Sequence, residues 1–538
     1  MSSLHATRVR RGRSASRHCL RAALGLLLGA LGCSGSGDSG DPLIVEDTLT
    51  SPVCTPVAGD FPSGLALSGS APDRAALVQF QPPAVAILDL REERPRILAL
   101  QGIPPDSDAD GVDDAQRSAQ AGFFPLNPLL GEIATAEHGL LLLSASNYEE
   151  ILFVDEQSGA LVGLRVANAA SGGAADPSHY PLLPPAGEVH VRSAVSTRAC
   201  VFPQGALDSG GEAVEPEVGC DPARPGFFSN LTAGKSIAAG HLFVATSNLR
   251  NSGESRFYPG SVLVYDWQSD AAGLRVQPDR ETPVIATSGF NPTGVVTHRT
   301  HSGREVVLVT VSGAIGASTG ARNVYSDAAV DVIDPLRLRV AARIPLGRAG
   351  PSFDRMAIDR GGRVGILGAS SQRQLYAVDL AALENPLLYE GDGDPVILDG
   401  LSAGFPDARI FHADVPLVLP DRSDGPPDLH CEGFTHAALN AAGSLILATD
   451  QCDGSLTRIR LDLSGSPPIP LPRARFEVLR MDEITAPLTP AGLGLIRAPG
   501  ALRVRSGEPG LDFEGPDAFF LVGLPDAQVC ALRVESPL

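Results

Sequence analysis

Short apolar runs that end on an acid recur along this chain. AVAILDL carries Asp89, EILFVDE Asp155, SVLVYDW Asp266, VDVIDPL Asp334, QLYAVDL Asp379 and RIRLDLS Asp462. A seventh run, CALRVES, carries Glu535. Each run is too short for a stable helix, is rich in β-branched and aliphatic residues, and is bounded by Gly- and Asp-rich turns. That pattern predicts strands. Recurrence of one such pattern predicts an internal repeat, in which each unit buries its apolar surface only against its neighbours. An acid at a strand end can bond the backbone two residues on and define the turn. Repetition therefore favours a structural role for these acids over a catalytic one.

The clearest unit begins at Val330 and reads as VDVID, a turn, VAARIPLG, a linker, RMAID, the turn Arg360-Gly361-Gly362, VGILGAS, a further turn and QLYAVDL. Asp334 and Asp379 are 45 positions apart (379 − 334), a spacing that suits one four-stranded propeller blade. Ile333-Asp334, Ile344-Pro345-Leu346-Gly347 and Gly350-Pro351-Ser352 resemble the YVTN-type bacterial β-propeller repeat. Arg360-Gly361-Gly362 stands where that repeat has Pro-Asp-Gly, and Ile366-Leu367-Gly368-Ala369 where it has its name-giving strand. HLFVATSN from His241 and SLILATDQ from Ser444 match more loosely. The resemblance implies an all-β, seven-bladed β-propeller, with six or eight blades as alternatives. Units are expected to begin near Pro62, Gly131, Ala233, Pro292, Ser352, Gly433 and Leu488, with loop insertions at about 101–130 and 169–232.

Residues 1–32 read as a signal peptide: six arginines, then the short apolar run LRAALGLLLGALG, too short to span a bilayer stably. Ala30-Leu31-Gly32-Cys33 resembles a bacterial lipobox, which implies lipidation of Cys33. Residues 33–42 then form a Gly/Ser-rich tether, leaving 43–538 for the propeller. Gly35, Gly37 and Gly40 fit G-x-G-x-x-G, but no strand precedes them and no helix follows, so a dinucleotide site is not expected.

The last unit stops after its third strand, and Leu43–Leu49 is expected to supply the fourth and remove an exposed edge. Six cysteines remain after Cys19 and Cys33, an even number in an exported chain. They allow 15 connectivities. The blade arrangement favours Cys54–Cys530 across the ring closure, Cys200–Cys220 within an insertion, and Cys431–Cys452 within the sixth unit.

The formal charge of −20 provides no net basic surface for phosphates and makes nucleic acid an unexpected partner. Lys235 is the sole lysine. Asp106, Asp108 and Asp110 at alternate positions, followed by Gly111, form the first half of a calcium loop. The stretch resembles the thrombospondin type 3 calcium repeat, which implies Asp106, Asp108, Asp110, the Val112 carbonyl and Asp114 as ligands. Arg117 occupies a position where that family has an acid.

Other motifs carry less. Gly316-Ala317-Ser318-Thr319-Gly320 fits G-x-S-x-G, but a strand and then a polar loop surround it, without the strand-to-helix elbow a nucleophile needs. His430, Glu432 and His436, and the pair His298 and His301, fit no zinc spacing and read as surface or turn residues.

These features predict a cell-envelope lipoprotein, bound to the membrane through its lipid and placed in the outer membrane facing the periplasm or the cell surface. It is expected to bind or scaffold an unidentified protein or small molecule without catalysis, using calcium in one insertion. The rival expectation is a lactonase-like or other metal-dependent hydrolase, with acids and a metal clustered in the central channel.

Overall fold

The structure is a computed structural model. It describes residues 48–49, 53–92, 94–109, 111, 113–114, 130–167, 189–197, 207–208, 213, 232–247, 249–250, 256–257, 259–313, 315–318, 321–324, 326–347, 355–369, 374–405, 407–414, 436–440, 445–450, 455–460, 475–480, 498–505, 518–524 and 526–535. The expected signal peptide, Cys33, the tether, Asp110, Val112, Asp462, His430, Glu432, and the pairs Cys200–Cys220 and Cys431–Cys452 lie outside these residues.

The described elements are strands apart from four short 3-10 turns. Most belong to antiparallel sheets joined by tight turns, in chain order. A second sheet runs Leu130–Ala136, Leu140–Ala145, Glu150–Asp155 and Ala194–Ser196; a third is built on Thr232–Ala238, His241–Thr246, Pro259–Asp270 and Gly273–Pro278. A fourth is built on Pro292–Arg299, Glu305–Val311, Ala328–Asp334 and Arg339–Gly347. A fifth contains Ala357–Ile358, Val364–Gly368, Gln374–Asp379 and Ile410–Asp414, and a sixth His436–Leu439, Leu445–Asp450, Ser455–Arg460 and Arg475–Arg480.

The first sheet is different. It is eight-stranded and joins the two ends of the propeller, in the order Ala498–Arg505, Ala518–Leu524, Asp526–Glu535, Val53–Leu67, Arg74–Gln81, Ala84–Asp89 and Arg96–Gly102, with Thr48–Leu49 also on Asp526–Glu535. Val53–Leu67 is shared: Val53 to Pro56 pair with the C-terminal strand, and Asp60 to Leu67 pair with Arg74–Gln81. Five blades therefore stand as separate sheets, not the expected seven, nor six or eight. The units expected first and last are fused into one sheet by this strand. The closing strand also differs from expectation. Most of the pairing comes from Val53–Pro56, with Thr48 and Leu49 opposite Glu535 and Val534. Residues 43–47 lie outside the described residues.

The apolar runs lack an in–out alternation because both faces of each blade are covered. Ala86 and Leu88 pack toward the C-terminal strands, against Phe520 and Ala531. Their neighbours Val85 and Ile87 point the other way, onto Ile133, Leu141 and Leu152 of the second sheet. The same sharing joins the second sheet to the third through Phe153 and Tyr265, the third to the fourth through Phe243 and Val309, and the fourth to the fifth through Val332 and Ile358. Blade faces stacked in succession around a centre define the β-propeller.

The insertion expected over 169–232 is not purely a loop. It contributes Ala194–Ser196 to the edge of the second sheet, and His190–Arg192 to the third, alongside Leu164–Val166. These strands are three residues long, too short to show a period in sequence.

The marker acids behave largely as turn residues. Asp89, Asp155, Asp334 and Asp379 each accept the backbone N–H two residues on, at 3.0, 3.2, 3.0 and 3.0 Å. Asp266 does not. Its strand continues to Asp270, and Asp270 takes the turn bond, from the Ala272 N–H at 2.8 Å.

Candidate functional site

The innermost strands of the blades converge on one cavity of 230 Å³. It is lined from the second sheet by Ala134 and Thr135, from the third by Lys235 and Ser236, from the fourth by Val296 and Thr297, from the fifth by Arg355 to Ile358, from the sixth by Ala437 to Leu439, and from the first by Leu502 to Val504. Several of these strands begin with a register shift, between Leu130 and Ile133, Thr232 and Lys235, Pro292 and Gly294, and Pro499 and Leu502. Such bulges bend a strand and raise its twist, which suits strands crowding at a common centre.

Glycine permits the closest approach. A Cβ on Gly234 would lie 2.2 Å from the Val295 nitrogen and 2.7 Å from the Gly294 carbonyl carbon. Beside Gly234, the Ser236 hydroxyl accepts from the Thr297 N–H at 3.1 Å and lies 2.6 Å from Thr297 Oγ1, fixing the third blade to the fourth.

Charge in the cavity opposes that of the protein. Lys235, Arg355 and Arg503 line it, and no carboxylate does among the described residues. Lys235 is 1 % exposed. Its Nζ donates to the Glu132 carbonyl oxygen at 2.5 Å and to Ser144 Oγ at 2.9 Å. Burial lowers its pKa to about 8, opposed by the Glu132 charge and assisted by Arg355. The lysine thus remains mainly protonated at neutral pH. Glu132 stands behind the wall, its Oε1 3.8 Å from Arg503 Nη2. Among the described residues, no acid cluster lines this cavity. Sequence reading missed the site: Lys235 registered only as a compositional oddity, and the arginines are more than 100 positions from it. The one available signal was a lone lysine two positions after Ala233, where the third unit was expected to begin.

The acidic loop forms a second site. Asp106, Asp108 and Asp114 each bring a carboxylate oxygen within 4.8 Å of the others, with Asp108 and Asp114 buried. Ala109 at φ 61° and Gly111 at φ 88° turn the backbone sharply, and the Gly111 N–H donates to Asp106 Oδ2 at 3.0 Å. The Ser107 N–H donates to Asp114 Oδ2 at 2.6 Å, and the Ser107 hydroxyl lies 2.7 Å from that oxygen and 3.3 Å from Glu150 Oε2. The Ser193 N–H donates to the Asp108 carbonyl at 3.0 Å, so the loop is docked on the second blade. Burial and the charges of Asp114, Asp113 and Glu150 push the Tyr148 phenol up to about 12. Convergent hard oxygens in a negative field fit a calcium ion. Sequence reading missed Glu150, an acid of the strand Glu150–Asp155 that meets the loop at Ser107.

The remaining candidates separate. Gly316 to Ser318 belong to the strand Ile315–Ser318, paired with Ala321–Val324 in a hairpin, so no nucleophile elbow underlies Ser318. His298 is buried, contrary to the surface reading, and burial lowers its pKa. His301 is exposed, its backbone N–H donates to Glu384 Oε1 at 2.6 Å, and its ring Nδ1 lies 3.7 Å from that oxygen.

No family model matches the chain, and no curated protein matches it. Solved structures similar to it include the Cps50 (Swd1) β-propeller domain of Myceliophteria thermophila, at 12 % identity and TM-score 0.42, covering 90 % of this chain and 100 % of that one. The hydrazine synthase of Kuenenia stuttgartiensis is similar at 11 % identity and TM-score 0.43, covering 90 % and 98 %. Virginiamycin B lyase of Staphylococcus aureus is similar at 8 % identity and TM-score 0.41, covering 91 % and 100 %.

Proposed function

We propose that this chain is a non-catalytic binding propeller of the bacterial cell envelope, lipidated at Cys33, that takes a small anion or an anionic group of a partner in its central cavity. The observation that carries the reading is the cavity wall: Lys235, Arg355 and Arg503 with no acid among its described residues. In a protein of net charge −20, three cations opposed by the single acid Glu132 behind the wall leave a local excess of positive charge around a small low-dielectric space, which favours carboxylate or phosphate groups. Arginine suits such groups because its planar fork donates two parallel hydrogen bonds. A metal-dependent hydrolase would need oxygen or imidazole ligands where these cations stand. Calcium in the loop of Asp106, Asp108 and Asp114 ties the first insertion to the second blade and stiffens the structure outside the cavity.

The test is calorimetry on the full chain with succinate, citrate and inorganic phosphate as separate probes. Saturable binding of at least one, weakened about tenfold or more by Arg355→Gln or Arg503→Gln, supports the reading. Absence of binding by all three in folded protein overturns the anion site. Calcium-dependent hydrolysis of simple lactones, lost in Lys235→Met, would replace the binding reading with the enzymatic one.

A further inference from the structure

Asp266 breaks the rule its counterparts follow, and its surroundings show what it does instead. It lies directly across from His241 on the neighbouring antiparallel strand. The Gln277 side-chain amide donates to its Oδ2 at 2.7 Å, leaving Oδ1 toward the ring, 3.6 Å from His241 Nε2. Asp279 repeats this arrangement. Its Oδ1 accepts the N–H groups of Glu281 and Thr282 at 2.9 and 2.6 Å, and its Oδ2 lies 3.7 Å from the same Nε2.

Each carboxylate therefore has one oxygen held by hydrogen bonds and the other aimed at a shared point. Both separations from Nε2 are too long for good hydrogen bonds. They match the edge of a coordination shell: two bonds of about 2.1 Å at a tetrahedral angle set their donors about 3.4 Å apart. All three donor atoms lie within 4.8 Å of one another. His241 Nδ1 is buried without a hydrogen-bond partner in the protein, and the ring packs edge-on to Phe243 at 6.2 Å. The three side chains are 22, 14 and 13 % exposed, enclosed on the protein side and open to water on the other.

We propose that His241, Asp266 and Asp279 bind a divalent transition-metal ion, with zinc the best-matched. One imidazole nitrogen and two carboxylate oxygens form a borderline donor set that suits zinc better than calcium, which prefers oxygen alone. Three protein ligands leave at least one position for water on the open side. The ion links His241–Thr246, Pro259–Asp270 and the turn after Gly273–Pro278. The site is separate from the cavity and from the calcium loop and does not depend on the function proposed for either.

The test titrates cobalt, as a spectroscopic substitute, and then zinc into the full chain with calcium held at about 5 mM to occupy the acidic loop. The expected result is one equivalent bound with Kd at or below about 10 µM, with visible cobalt bands of low-symmetry N/O coordination. His241→Ala and His241→Gln should each weaken zinc at least about a hundredfold, and Asp279→Asn about tenfold or more, while His138→Ala, at an exposed histidine, should change nothing. Circular dichroism verifies folding, and two histidine variants keep the comparison valid if one fails to fold. Binding weaker than about 100 µM in the wild type, or affinity unchanged in both histidine variants and in Asp279→Asn, overturns the site. So does a His241 ring resonance that zinc leaves unmoved.

Discussion

Cys54 and Cys530 face each other directly across an antiparallel strand pair and are joined by a disulfide spanning 476 positions. The bond fastens the strand that enters the propeller to the strand that completes it. In the loop-entropy model a closure this long stabilises by on the order of 5 kcal/mol. Cys54→Ser is expected to lower Tm by several degrees, and added reductant to lower the wild type without further effect on the variant. Thermal denaturation by circular dichroism measures both. Non-reducing peptide mapping should recover the two cysteines in one linked fragment.

Lys235 gives stability a pH dependence of known sign. Its folded pKa of about 8 lies below the unfolded value, so the unfolded chain binds more protons between these two values. Stability contributed by this group therefore rises as pH increases from about 8 to about 10.5, by on the order of 3 kcal/mol, and the penalty is fully present below about 8. The measurement is denaturant unfolding of wild type and Lys235→Met across that range. The difference between the two curves should carry this rise, because tyrosine titration is common to both.

Asp89 moves stability in the same direction with pH, but in the acid range and as a stabilising group rather than a penalty. Hydrogen bonds from Arg91, then its positive charge and a bond from Arg96, hold this carboxyl well below the usual range despite burial. Its contribution is present above the unfolded pKa of about 4 and declines as pH falls through the folded value. Asp89→Asn should cost about 1–2 kcal/mol at neutral pH and flatten the acid limb of the stability curve.

Calcium should stabilise the wild type in proportion to ligand saturation and leave Asp108→Asn nearly unaffected. Calorimetry and thermal shift at millimolar calcium provide the readout. Absence of both heat and shift would remove calcium from the first insertion.

Gly234→Ala should destabilise by about 3 kcal/mol or more, because the atoms a Cβ would meet are backbone and cannot swing aside. Reduced soluble yield and a lower chemical-denaturation midpoint are expected. Gly303→Ala, at φ 85° with open space around the added Cβ, separates the local cost of positive φ from that of crowding.

The repeat and its closure were legible in the sequence because they rest on local chemistry. An Asp such as Asp334 defines its turn from its own strand end, and the blade arrangement favoured Cys54–Cys530 among the possible pairings. The convergence of Asp106, Asp108 and Asp114 was legible because these acids are close in sequence. The blade count was not: no pattern reveals that one continuous strand, Val53–Leu67, serves two units at once. The cavity was also hidden, since Lys235, Arg355 and Arg503 meet only when separate innermost strands converge. The cluster of His241, Asp266 and Asp279 fits no spacing template, and Asp266 looked like any other marker acid until its strand proved longer than the rest.

The shared strand Val53–Leu67 also imposes an order of assembly. Contacts between residues near position 54 and those near 530 are about as non-local as the chain permits, and such contacts form slowly. Until the C-terminal strand arrives, the first blade presents an unpaired edge and the apolar faces of Leu65, Leu77 and Leu88 lack their cover. Pairing of Val53–Pro56 with Asp526–Glu535 is thus what closes this edge and covers these apolar faces in the folded protein.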